Sequence, residues 1–364
     1  MVQGVMPPAM HQAQAFLAAG NALRADGRNA EAIAAYRRAI EAAPEGAAGH
    51  YNLGLALRAS REWREAILCF RRTVALSSGN DYEAMQNAVS TLAKAVEEGA
   101  SPFGDPDASF PVGRTPISIV VCSVRPAMLE EMQASCREGL AGREHEFIVI
   151  NDARSLAEGY NRGLARARYP IVVFSHDDVE LISQRPFDAI EHALASSDVA
   201  GLAGTARACG PAVMWAGHPH LRGFVALPGR GDPGSVQATL FALDCGVLGG
   251  MQALDGFFFA ARREAALAVG FDDKAFDGFH FYDMDFTYRA HLAGMRLAVT
   301  TDVCALHRSL GDFGEDWQRY SRRFAEKFPE LSGARGSNHH YAAPLPSRGH
   351  AVRFLGEMRA LART

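Results

Sequence analysis

Apolar and polar residues follow one another in two different periods along this chain, and the change falls near residue 100. Over residues 16–23, 33–40, 51–57 and 67–74, small or apolar residues recur every three or four positions, the spacing of amphipathic helices with one buried stripe. Beyond residue 116 the apolar positions gather into short runs at 117–122, 146–151 and 171–174, separated by helix-period stretches at 128–140 and 156–168. Strand, helix, strand, helix, strand predicts a parallel sheet with helices on its faces. Between the two regimes stand Pro102, Pro106, Pro111 and Pro116 with Gly104 and Gly113, a stretch that neither helix nor strand traverses. The expected organisation is a flexible start at 1–12, a helical module at 13–98, a Pro/Gly-rich linker at 99–116, an α/β domain at 117–343 and a basic tail at 344–364.

The helical part overlays on itself at a shift of 34 residues: Gly20 falls on Gly54, Leu23 on Leu57, Ala32 on Ala66, Ile33 on Ile67 and Tyr36 on Phe70. Fixed-period self-similarity marks a stacked repeat. Gly20 and Gly54 leave room for close helix approach, and Tyr36 and Phe70 fill the space between pairs. Gly27 is suited to end the first helix, Asn29 to cap the second, and Pro44 to close the unit. This resembles the tetratricopeptide repeat, with departures at Arg61, Thr73 and Ser78, where Gly, Ala and Pro are usual. Residues 82–96 read as a third helix pair left unfinished, or as the solvating cap such arrays need; a plain helical hairpin is the other reading of the whole segment. Such modules bind partners and do no chemistry, which implies a protein partner or self-association.

Composition narrows the rest. With 364 residues, 48% hydrophobic and 21% charged, the chain is long enough for a helical array and one sizeable α/β domain. A formal charge of −4 argues against nucleic acid as a partner, since phosphate backbones are held by clustered Lys and Arg. Six cysteines stand singly with no C-x-x-C spacing, as in buried thiols of a reducing compartment. Residues 1–19 lack a charged start before an apolar core, and no run of about 18 apolar residues occurs. The expectation is a cytoplasmic chain with no transmembrane segment.

In open parallel sheets ligands sit at the carboxyl ends of strands, which singles out Ser123, Asp152 and the run His176, Asp177, Asp178. Two carboxylates at such a mouth suit a divalent cation held against a diphosphate; an acidic pair after a strand also starts a turn or caps a helix. The order of Ser123, Asp152, Asn161 with Gly163, and His176, Asp177, Asp178 resembles the nucleotide-binding half of inverting, family-two-type glycosyltransferases with the GT-A fold. His176 stands where the first Asp of their D-x-D motif falls, and His-Asp-Asp here is similar to a group of bacterial glycosyltransferase-like domains. The resemblance implies a GT-A-like mixed, mostly parallel sheet with flanking helices behind a short all-α repeat array. It further implies nucleotide-sugar binding by Ser123, Asp152, Asn161 and Asp177, and a Mn²⁺ or Mg²⁺ ion at Asp178, His176 and His307.

The second half carries residues 255–263, beginning Asp255-Gly256-Phe257, and then the run Tyr282, Asp283, Met284, Asp285 with Arg289. Related transferases carry Glu-Asp-x-Asp here, the second member being the catalytic base; Asp283 takes that place and Tyr282 replaces the Glu. Asp283 and Asp285 equally suit the first turn of a helix running to Leu292, where the dipole favours them, and Asp285 is placed to cap or to pair with Arg289. His307 follows the apolar run 297–306 and reads either as a metal ligand or as a hydrogen-bonded structural residue. Trp215 and Trp317 suit sugar stacking or buried packing. Arg348, Arg353, Arg359 and Arg363 near the end face only Glu357, which reads as a solvated terminal helix or a weak membrane or partner contact. The implied function is metal-dependent inverting transfer of a sugar from a nucleotide-diphosphate sugar, a UDP-sugar first among them, to a hydroxyl on a protein or glycan. The alternative, from His176 and Tyr282 standing where acidic residues are usual, is a non-catalytic interaction protein with a degenerate ligand-binding domain.

Overall fold

The computed structural model describes residues 7–77, 81–104, 111–210, 220–309, 311, 313–333 and 340–364. Its contacts divide the chain into two compact units, one of residues 1–104 with 341–343, the other of residues 105–340 with 344–364. The first unit holds α1 (Pro8–Ala25), α2 (Asn29–Ala42), α3 (Ala47–Ala59), α4 (Trp63–Leu76) and α5 (Tyr82–Glu97). Gly20 and Gly54 face the rings of Tyr36 and Phe70 so closely that a Cβ on Gly54 would lie 2.9 Å from a Phe70 ring carbon. The small-against-large interlock read from the repeat is present. Gly27 turns the chain left-handed at φ 75° after α1, as expected of a helix-ending glycine. Asn29, expected as a cap, is instead the first helical residue after Arg28, which makes no side-chain cap. Residues 82–97 form one helix, α5, whose side chain Gln86 bonds Ala342 through both its backbone N–H (3.1 Å) and C=O (2.7 Å).

The second unit runs β1 (Ile117–Cys122), α6 (Pro126–Leu140), β2 (His145–Ile150), α7 (Leu156–Arg166), β3 (Ile171–Ser175), β4 (Val179–Leu181), α8 (Pro186–Ser196), β5 (Val199–Gly201), β6 (Ala203–Thr205), β7 (Leu221–Pro228), β8 (Val236–Leu240), β9 (Val247–Gly249), β10 (Ala253–Leu254), β11 (Phe258–Arg262), α9 (Arg263–Val269), α10 (Tyr282–Leu292), β12 (Leu297–Thr300), β13 (Ala305–His307), α11 (Glu315–Lys327), β14 (Tyr341–Leu345), whose first three residues belong to the first unit, and α12 (Arg348–Ala362). One sheet has the order β2-β1-β3-β11-β5-β12-β9. The strands β2, β1, β3, β5 and β12 run one way, while β11 enters antiparallel between β3 and β5, and β9 closes the edge antiparallel to β12. Both faces are covered. Ile117, Ile119 and Val121 point into a core with Met132 and Cys136 of α6 and Phe187 of α8, whereas Val120 points into the other with Leu156, Tyr160 and Leu164 of α7, the two-residue alternation of a strand buried on both sides. A second sheet orders β10-β6-β7-β13-β4, with β8 on β7.

Two expectations change. Residues 113–116 of the linker are anchored on α8, where the Gly113 N–H donates to Asp188 (3.0 Å) and the Thr115 hydroxyl to Glu191 (2.6 Å); residues 105–110 lie outside the described ones. The terminal helix α12 is not solvated: Ala351, Phe354, Leu355, Met358 and Leu361 are buried and Phe354 stacks against Phe224. Burial extends around the helix, taking in every residue from Phe354 to Met358, Glu357 among them, and Arg359 lies 3.9 Å from the Asp302 carboxylate.

Candidate active site

The core strand β3 is buried at every position, so its polar continuation, residues 176–178, emerges at the rim of the sheet. Asp177 turns toward the end of β1. It accepts hydrogen bonds from Ser123 Oγ (2.6 Å) and Arg125 Nε (3.1 Å), and Arg125 Nη2 closes a bidentate ion pair. Ser123 and Asp177 are thus brought together, with the half-exposed Arg125 between them and solvent. Asp152, after β2, stands apart on the open surface, its carboxylate held by Arg162 of α7 and thereby lowered below its ordinary pKa. Asn161 is not brought to the strand ends at all. Its amide donates to the Phe271 carbonyl (2.8 Å) and its carbonyl accepts from the Phe271 N–H (2.9 Å), so both polar atoms are spent clamping α7 to a distant loop.

His176 and Asp178 turn the other way. The antiparallel register of β13 on β4 sets His307 opposite Val179, and the Arg308 N–H donates to the Asp178 carbonyl (3.1 Å). His307 Nε2 consequently lies 3.5 Å from Asp178 Oδ1, and His176 Nδ1 lies 3.9 Å from the same oxygen. One ligand atom from each of the three residues falls within 4.8 Å of the others. Asp178 Oδ1 is buried with no hydrogen-bond partner, and a buried carboxylate oxygen left unpaired is costly. The His307 ring stacks on Phe257 at 5.0 Å between centroids, which fixes its plane. Burial, then the neighbouring His307, pushes the His176 pKa down to about 4, leaving its imidazole neutral and able to coordinate. Burial pushes the Asp178 carboxyl up, yet the His307 ring holds it below the usual range. The donor set therefore fits a divalent cation: an orphaned carboxylate oxygen facing a neutral imidazole and a second histidine.

The first turn of α10 supplies the remaining chemistry. Phe281 precedes it at φ 63°, a conformation that costs a bulky residue energy and persists only where packing enforces it; Trp317 and Phe324 hold its ring at 5.5 and 5.4 Å. Asp283 Oδ2 accepts from the Gly256 N–H (2.7 Å), and Asp255 Oδ1 from the Phe257 N–H (3.1 Å). Burial, then the charge of Asp255, raises the Asp283 carboxyl well above the ordinary range, and burial raises Asp255 as well. Both line a pocket of ≈ 580 Å³ together with His176, His307, Phe241, Phe257 and Trp317. Asp285, by contrast, is fully buried between Arg289 (2.7 Å) and Lys327 (2.5 Å), a structural ion pair of the kind its spacing from Arg289 predicted. Trp317 lines the pocket; Trp215 lies outside the described residues.

Asp255, Arg125 and the hydroxyl of Tyr282 escaped the sequence reading. Asp255 begins the run 255–263, but nothing in one sequence shows that its backbone neighbour Gly256 will meet Asp283. Arg125 sits two residues past a strand-end serine, a position that strand-end reasoning could have included.

Residues 118–328 match the Glycosyltransferase like family, and residues 17–81 match the Tetratricopeptide repeat. Among solved structures, the mannosyltransferase PcManGT from Pyrobaculum calidifontis in complex with GDP-Man and Mn²⁺ is 13% identical, with 76% of this chain and 86% of that one covered and a TM-score of 0.37. GalNAc-T7 with UDP, GalNAc and Mn²⁺ is 10% identical, with 71% and 56% covered and a TM-score of 0.37. No curated protein matches. With the first of these family matches spanning more than half its length, the chain belongs to the glycosyltransferase-like family, its transferase-like domain preceded by a tetratricopeptide-repeat unit.

Proposed function

We propose that the chain is a metal-dependent, inverting glycosyltransferase that moves a sugar from a nucleotide-diphosphate sugar to a hydroxyl acceptor. The carrying observation is that one pocket receives both a carboxylate poised as a base, Asp283, and two members, His176 and His307, of a cation-fitting cluster completed by Asp178. His176, Asp178 and His307 would hold the ion, and two imidazoles beside one carboxylate favour Mn²⁺ over Mg²⁺, which prefers an all-oxygen shell. When bound, the cation supplies positive charge that stabilises the departing diphosphate.

The chain's own residues do the rest. Asp283 accepts the acceptor hydroxyl's proton as that oxygen bonds to the anomeric carbon from the face opposite the breaking bond to the diphosphate oxygen. The Gly256 N–H keeps the carboxylate aimed, and the aromatic walls exclude water that would otherwise compete as acceptor. Ser123, Asp152 and the Arg125–Asp177 pair border the nucleotide side. The repeat unit presents a helical surface for a protein acceptor, a partner enzyme or a second copy.

A screen of nucleotide sugars, UDP-sugars first, for hydrolysis and transfer by the full chain with Mn²⁺ or Mg²⁺ tests the reading. Turnover that needs Mn²⁺ and gives the inverted anomer is expected. Binding of nucleoside diphosphates without any turnover, or turnover indifferent to chelator, would transfer support to the non-catalytic or metal-free alternatives.

A further inference from the structure

We infer that Tyr282 is a positioning residue for His176: its hydroxyl fixes the imidazole tautomer that turns the Nδ1 lone pair toward Asp178. This deepens the metal-dependent reading and rests on it. The Tyr282 side chain is buried, with its Oη 2.6 Å from His176 Nε2 and 3.1 Å from the Gly256 carbonyl oxygen. A phenol has one proton and a carbonyl only accepts, so both contacts are satisfied in a single arrangement: Tyr282 donates to Gly256, and His176 Nε2–H donates to Tyr282. The other ring nitrogen is then unprotonated. It faces Asp178 Oδ1 at 3.9 Å, too far for a hydrogen bond, while that oxygen has no partner. Two acceptors pointing at a common space call for a cation between them, and a partner on the far ring nitrogen is how ligating histidines are commonly oriented.

The two positions that depart from the acidic pattern of related transferases, His176 and Tyr282, thus touch each other. A tyrosine at 282 gives the histidine at 176 a partner for its far ring nitrogen. The same helical turn then carries the orienting residue and, one position on, Asp283. The titratable groups around the pair are His307, Asp178, Asp177 and Arg125 beside His176 and Tyr160, Asp283, Asp255 and Cys122 beside Tyr282; Tyr160 spends its own proton on the Ser175 carbonyl (3.1 Å), and Tyr282 Oη meets His176 and Gly256.

Selective ¹⁵N-histidine labelling of the full chain reads the tautomer directly in metal-free protein, with His176→Gln identifying the resonance. Wild type is expected to carry the proton on Nε2, and Tyr282→Phe to show a mixed or reversed tautomer. In isothermal calorimetry Tyr282→Phe is expected to bind Mn²⁺ roughly 10–100-fold more weakly, with the circular dichroism of wild type. A proton on Nδ1 in wild type overturns the inference whether or not the variant folds, as does an unchanged tautomer or a Mn²⁺ affinity within about twofold of wild type in a folded Tyr282→Phe. A wild type that takes up no Mn²⁺ while showing the Nε2–H tautomer lost in Tyr282→Phe refutes the metal reading and leaves the tyrosine's orienting role standing.

Discussion

At the scale of single residues, Asp283 is where chemistry and stability pull in opposite directions. Asp283→Asn keeps an oxygen for the Gly256 N–H but cannot accept a proton, so transfer should fall by about 10²–10⁴-fold in a sugar-transfer assay; undiminished transfer would remove it as the base. Its carboxyl is raised by burial and by Asp255, so its favourable contribution to folding is present below the unfolded value of about 3.9 and is lost as pH rises through the folded one. Asp283→Asn should therefore melt higher than wild type near pH 7.5, with the gain shrinking toward pH 4. The same raised pKa predicts that wild-type turnover declines on the acid side at a pH above that of an ordinary carboxylate, since only the ionised form acts as base. The rim positions 123, 152 and 176–178 were legible because apolar strands announce their own ends. Asn161 was not, because its partner Phe271 lies far along the chain and a side-chain amide that binds a ligand looks, in sequence, like one that clamps backbone.

At the scale of elements, the agreement between expectation and structure follows burial. The strands β1, β2 and β3 were readable nearly to the residue, being short apolar runs bounded by helix-period stretches, whereas β7 and β8 were hidden in a Gly/Pro-rich middle where neither period persists. The repeat helices were readable because small and large positions return every 34 residues. That interlock makes a sharp prediction. Gly54→Val forces its Cβ against the fully buried Phe70 ring and should destabilise the helical unit by about 1–3 kcal/mol, measured as loss of helical ellipticity at lower temperature. A neutral effect would mean that α3 and α4 pack more loosely than the glycine contact requires.

At the scale of the whole molecule, the division into two compact units predicts two calorimetric transitions rather than one. Gly54→Val should lower one of them and leave the other in place; a single transition shifted as a whole would show that the units melt together. Sheet order, unlike strand existence, was beyond reach of the sequence, because periodicity names strands without naming their neighbours. The position of β11 illustrates this, and it has a consequence during synthesis. On the ribosome, β3 emerges with only β1 to pair with, and its other edge must wait for residues 258–262, roughly 85 residues later, or several seconds at about 5–20 residues per second. Throughout that interval nascent chains display a bare ribbon, apolar from Ile171 to Phe174, so translational stalling or premature termination between residues 175 and 258 should yield insoluble fragments that chaperones must shield.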